Sequence, residues 1–133
     1  GGVFKQVLVN TGAGKLLAEL PLHAGVSVVL FAYLSAAIIR LLQGSATVAM
    51  ITAASLLAPL LISGMYSPIQ LAALVAAIAA GATIFSHVND SGFWLVKQYL
   101  GLTENQTFKS WSLMTLLISV VAGLLSALIF YLA

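Results

Sequence analysis

The chain has 133 residues, of which 62% are hydrophobic and 6% charged, with five Lys or Arg against three Asp or Glu. A soluble domain carries about 25% charged residues, and a chain this short cannot bury so apolar a surface in water. A water-soluble fold is therefore excluded and a bilayer is the expected solvent. The lack of Cys excludes disulfides, thiolate metal sites and Cys nucleophiles, and a net charge of +2 spread along the chain leaves no footprint for nucleic acid.

The opening Gly1-Gly2-Val3-Phe4-Lys5 has neither an initiator Met nor a signal-peptide pattern, so the numbering is expected to begin inside a longer protein. Residues 1–25 carry two Lys, one Glu and a Thr11-Gly12-Ala13-Gly14 break, which predicts an interfacial helix and loop with His23 at the surface. A hydrocarbon core of about 30 Å asks for about 20 helical residues. The next two apolar stretches, 26–42 and 47–62, fall short of that and are separated only by Gln43-Gly44-Ser45-Ala46, too few residues to cross a headgroup layer and return. One long kinked helix would overshoot the bilayer, so residues 26–62 are read as a re-entrant helical hairpin. Gly44 supplies the turn, Ser45 or Thr47 caps the second arm, and Pro59 with Ser63-Gly64 marks the exit.

Residues 67–100 are read as a discontinuous transmembrane helix. Ser67 is the expected N-cap and Pro68 the first helical residue, and the body from Leu71 to Gly81 is built from small residues that allow close helix packing. The run Ser86-His87-Val88-Asn89-Asp90-Ser91-Gly92 interrupts it, and Phe93-Trp94-Leu95-Val96 resumes the apolar pattern. Residues 103–133 are read as an interfacial helix, opened by a Thr103/Gln106 capping box, that runs through Trp111 into the final span. Trp94, Tyr99 and Trp111 suit an aromatic belt. The fold class is an all-α integral membrane protein with a re-entrant helical hairpin, a discontinuous transmembrane helix and a full C-terminal span.

Irregular backbone at membrane depth is tolerated only where protein or a cavity covers it. Two such breaks, at residues 44–47 and 86–92, bring together free helix ends and hydroxyl and amide side chains. Free N–H groups at a helix start attract anions such as carboxylates, so Gly44, Ser45, Thr47, Ser86 and Asn89 are candidate substrate-binding residues; the alternative is that the hydroxyls only cap the hairpin's own backbone. Arg40 lies about 14 residues into an apolar arm, roughly 20 Å along the helix, where an Arg is a functional candidate by default. It either clamps a substrate carboxylate or is held by hairpin carbonyls or Asp90. His87 and Asp90 are the titratable groups of the second break and the candidates for proton coupling; Asp90 or Asn89 is equally suited to cap the helix that starts near Ser91, and His87 to donate to a local carbonyl. No phosphate loop, HExxH, Gly-x-Ser-x-Gly or spaced carboxylate pair is present, so no enzyme, cofactor or metal is expected.

The residues at the two breaks carry a resemblance. Gly1-Gly2-Val3-Phe4-Lys5-Gln6-Val7-Leu8-Val9, Arg40-Leu41-Leu42-Gln43-Gly44-Ser45-Ala46-Thr47-Val48-Ala49, Phe85-Ser86-His87-Val88-Asn89-Asp90-Ser91-Gly92-Phe93-Trp94 and Lys109-Ser110-Trp111-Ser112 resemble the gluconate:proton symporter family of bacterial inner-membrane permeases. That family is similar to the wider ion transporter superfamily, whose folds hold two inverted repeats, each with a re-entrant hairpin and a broken helix at a central site. The resemblance implies the C-terminal part of a multi-pass secondary transporter that carries gluconate or a related hydroxylated monocarboxylate with protons. The partners it implies are the permease's N-terminal helices and the lipid bilayer, with homo-oligomer assembly left open. D-serine or another sugar acid as substrate, or a non-transporting subunit or truncated remnant whose breaks serve only packing, is the alternative.

Overall fold

The computed structural model describes residues 6–7, 10–12, 26–61 and 65–133. Most of the opening segment, His23 and the Ser63-Gly64 exit lie outside the described residues. Helix α1 spans Val28–Gln43, α2 Ala46–Leu57, α3 Pro68–Thr83, α4 Ser91–Tyr99, α5 Glu104–Thr107 and α6 Leu113–Leu132. A 3-10 turn at Ala58–Leu60 places Pro59 beyond α2, and a π turn at Phe108–Ser112 joins α5 to α6. The described residues contain helices and turns and no strand.

Local chemistry sets most helix ends. Gly44 takes φ +74°, a left-handed conformation that closes α1, and its N–H donates to the Arg40 carbonyl at 2.8 Å. One residue later the Ser45 hydroxyl accepts from Val48 N–H at 3.4 Å and starts α2, so the chain reverses within two residues. A reciprocal capping box opens α3: the Ser67 hydroxyl accepts from Gln70 N–H at 3.1 Å, and Ser67 N–H donates to Gln70 Oε1 at 3.0 Å. Thr103 and Gln106 repeat the device at α5. Removing such a cap costs about 1 kcal/mol, so Ser67→Ala should lower the thermal stability of a full-length protein in detergent by that amount without altering its helix content by circular dichroism.

Packing follows from small side chains. Helix α3 is central, with α1 on one side and α6 on another, and α2 folds back on α1. The buried contact surface is rich in alanine, including Ala32, Ala36, Ala49, Ala53, Ala73 and Ala77. At Gly81 a Cβ would strike the Tyr33 carbonyl and come within 3.0 Å of Ala36 Cβ, so the backbones of α1 and α3 touch there. Such close approach is how helices gain packing energy where lipid removes the hydrophobic drive.

The polarity of α6 is inverted relative to a helix in water. Its buried side is Thr115, Ser119, Ser126 and Phe130, while Leu117, Val121, Leu124, Leu125 and Leu128 are more than half exposed. Ser119 Oγ meets Tyr33 Oη at 2.9 Å, tying α6 to α1. Hydroxyls inside and leucines outside suit a hydrocarbon solvent. The continuous helix Glu104–Leu132, 29 residues long, is the one among the described residues with the length and apolarity to cross a bilayer, and α1, Ala46–Leu60 and α3 are shorter apolar helices.

Candidate functional site

The turn between α1 and α2 rests on the irregular segment between α3 and α4. A Cβ at Gly44 would collide with the Asn89 carbonyl, so the two backbones are in direct contact. The segment itself is strained at Phe85, whose φ of +31° is a conformation that non-glycine residues avoid. Its ring lies 6.3 Å from that of Phe108, which in turn sits 4.8 Å from Phe93, so aromatic packing from α4 and the π turn supports the strained residue.

Across this contact the α1 carbonyls that lack intrahelical partners find side chains from the break. Asn89 Nδ2 donates to the Leu42 carbonyl at 3.2 Å, and His87 Nε2 to the Leu41 carbonyl at 3.0 Å. His87 Nδ1 accepts from Asn89 N–H at 3.3 Å, which together with the first bond defines the Nε2–H tautomer. The imidazole therefore links the break to α1, 46 residues away, rather than to a local carbonyl.

Arg40, only 6% exposed, is the buried cation of the site. Its Nη1 donates to the Gly44 carbonyl and its Nη2 to Asp90 Oδ2, while Nε is buried with no partner among the described residues. Both holders considered from sequence, the hairpin carbonyl and the acid, are thus in place. Asp90 does three things at once: it pairs with Arg40, accepts from the Ser86 hydroxyl through the same oxygen, and caps α4 by accepting from Gly92 N–H through Oδ1 at 3.0 Å.

Ser86 is 1% exposed and gripped on every polar atom by the last helix. Its N–H donates to Thr115 Oγ1 at 3.0 Å, its carbonyl accepts from the Ser112 hydroxyl, and its Oγ accepts from Trp111 Nε1 at 2.9 Å. Of the residues singled out from sequence, Arg40, Gly44, Ser86, His87, Asn89 and Asp90 form one connected cluster. Ser45 lies beside it as the α2 cap, and Thr47 is exposed on the first turn of that helix. Sequence reasoning does not place Trp111, Ser112 or Thr115 at the site: it puts Trp111 in an interfacial belt, whereas the indole N–H turns inward to Ser86. Among the described residues no group of three or more His, Cys, Asp or Glu could hold a metal ion.

A helical arrangement with hydroxyls inside, leucines outside and a buried ion pair at a helix break is that of an integral membrane protein. More specifically, the sequence pattern described as GntP family permease matches residues 1–133, and the chain belongs to that family. It is 42% identical over 132 residues to the low-affinity gluconate transporter of Escherichia coli (strain K12), covering 99% of this chain and 30% of that protein. It is 46% identical over 129 residues to the high-affinity gluconate transporter of the same strain, covering 97% and 28%. To the gluconate permease of Bacillus subtilis (strain 168) it is 48% identical over 124 residues, covering 93% and 27%. The chain thus spans less than a third of the length of these relatives. No solved structure matches.

Proposed function

We infer that this chain is the substrate-gripping portion of a secondary transporter of the bacterial inner membrane that moves gluconate, or a close hydroxylated monocarboxylate, together with protons. The observation that carries the reading is the Arg40–Asp90 pair at the contact between the hairpin turn and the helix break. In this reading α1 and α2 form a re-entrant hairpin, α3 and α4 a discontinuous transmembrane helix, and a second, inverted repeat elsewhere in the permease completes the substrate shell.

The ion pair suggests how anion and proton are coupled. Asp90 takes Nη2 of Arg40 and leaves Nε without a partner. A substrate carboxylate replacing Asp90 would bind both groups at once, the geometry that guanidinium favours. The released Asp90 carboxylate, still in a dry setting, then becomes a proton acceptor, so that one anion and one proton enter together. His87 is the second candidate for the proton, at the Nδ1 position now occupied by Asn89 N–H. The first amides of α2 and α4, which precede any intrahelical acceptor, add positive potential beside the carboxylate, with Ser45, Thr47 and Asn89 available to the substrate hydroxyls.

The test is uptake of labelled gluconate by a full-length permease carrying this sequence in proteoliposomes. Arg40→Lys keeps the charge but loses the planar fork, and is expected to raise KM at least tenfold, as loss of about 1.4 kcal/mol or more of binding requires. Collapsing the proton gradient is expected to remove accumulation. Unchanged uptake by Arg40→Lys would defeat the site assignment, and accumulation without a proton gradient would assign coupling to another ion.

A further inference from the structure

The last helix carries a feature that neither a membrane span nor an aromatic belt requires. A π turn at Phe108–Ser112 interrupts Glu104–Leu132 with no Pro or Gly inside it. Thr107 and Ser112 are both fully buried, five residues apart. On a regular α-helix that spacing would put them about 140° apart, on nearly opposite sides. A π turn, whose bonds run from i to i+5, stacks them on one side. From Ser112 onward, Thr115, Ser119 and Ser126 continue the buried face at α-helical spacing. The extra residue therefore lets Phe108 pack on Phe93 of α4 while Trp111, Ser112 and Thr115 reach Ser86.

The bonds at Ser86 have a defined direction. Indole N–H can only donate, so the Ser86 oxygen must accept from Trp111, and its single hydrogen is left for Asp90 Oδ2. Asp90 Oδ2 also receives Arg40 Nη2. The result is a chain of donors, Trp111 to Ser86 to Asp90, that ends on the oxygen paired with Arg40; such chains polarise each bond along their length.

We propose that Trp111 is a positioning residue for the Arg40–Asp90 pair, acting through the Ser86 hydroxyl, and that the π turn is what aims it. This rests on the reading of that pair as the carboxylate site. The final helix thereby senses whether Asp90 is on Arg40: when substrate takes the cation, Asp90 remains anchored by Ser86 rather than swinging away, and the empty pair can re-form after release.

The experiment is a double-mutant cycle in the full-length permease with Trp111→Phe, Ser86→Ala and both together. Phe keeps the ring and deletes only the donor. Each single change is expected to raise the KM for gluconate about fivefold, the effect of one hydrogen bond, with the maximal rate within about twofold of the parent. The double variant should be no worse than Ser86→Ala, because Trp111 acts through that hydroxyl. The same cycle read on thermal melting in detergent without substrate should show the same non-additivity. Additive effects in both cycles, or a silent Trp111→Phe, would overturn the proposal. So would coupling in melting alone, with KM unchanged in a permease whose uptake depends on Arg40. Coupling in melting together with Arg40-independent uptake would instead support the hold on the pair and remove only the carboxylate reading.

Discussion

Asp90→Asn in a full-length permease is expected to lower unfolding stability by about 3–5 kcal/mol, because it leaves Arg40 as an uncompensated charge in a buried position. Asn is the informative substitution here. Its single oxygen can still cap α4 at Gly92, while the amide NH2 takes the place of the oxygen that accepts from Ser86 and Arg40, so the charge is removed with the size of the side chain and the helix cap kept. Adding Arg40→Met to the same protein should recover most of the loss, since it removes the uncompensated buried cation that the single change leaves behind. Thermal melting in detergent distinguishes the two outcomes. Gluconate uptake supplies the second half of the argument: the double variant, though folded, should remain inactive if Arg40 holds the substrate carboxylate. A stable double variant with normal uptake would show the pair to be a packing device, as in the alternative that the helix breaks serve only the fold.

Much of this architecture is readable locally. The caps at Ser67, Asp90 and Thr103 and the reversal at Gly44 depend on residues no more than four positions apart, where side-chain chemistry decides the backbone. The contact between the two breaks is a different matter, since Arg40 and Asp90 are 50 residues apart. It is readable only because the solvent is hydrocarbon: with so few charges, a buried cation and a buried acid have little other company. The roles of Ser86 and Trp111 were not readable in the same way. A hydroxyl exposed to substrate and one enclosed by a neighbouring helix look identical in sequence, as do an indole at a membrane surface and one aimed inward. The π turn left a weaker trace. Buried hydroxyls at 107 and 112 break the period of the buried set 112, 115, 119 and 126, and one inserted residue is the cheapest way to reconcile the two phases.

Two glycines with the same backbone conformation separate strain from contact. Gly44 has φ +74° and Gly101 φ +63°, so Ala at either position would suffer the left-handed penalty of about 1–2 kcal/mol. Around Gly101 nothing lies within 4 Å of an added Cβ, and that penalty is all that Gly101→Ala should show, with gluconate uptake preserved. At Gly44 the added methyl would meet the Asn89 carbonyl and carbon, backbone atoms that no rotamer change can move. Overpacking of this kind adds about 1–3 kcal/mol. Relief requires the hairpin turn and the break to part, and parting them pulls the Arg40 guanidinium, itself bonded to the Gly44 carbonyl, away from Asp90 and the Leu41 and Leu42 carbonyls away from His87 and Asn89. Gly44→Ala is therefore expected to lose uptake altogether and to melt below Gly101→Ala, the comparison being made on the two purified full-length variants in the same detergent. Equal melting and equal transport would mean that the tight approach of the turn to the break contributes nothing to the working protein. The site would then have to be sought away from the point where the two irregular segments touch.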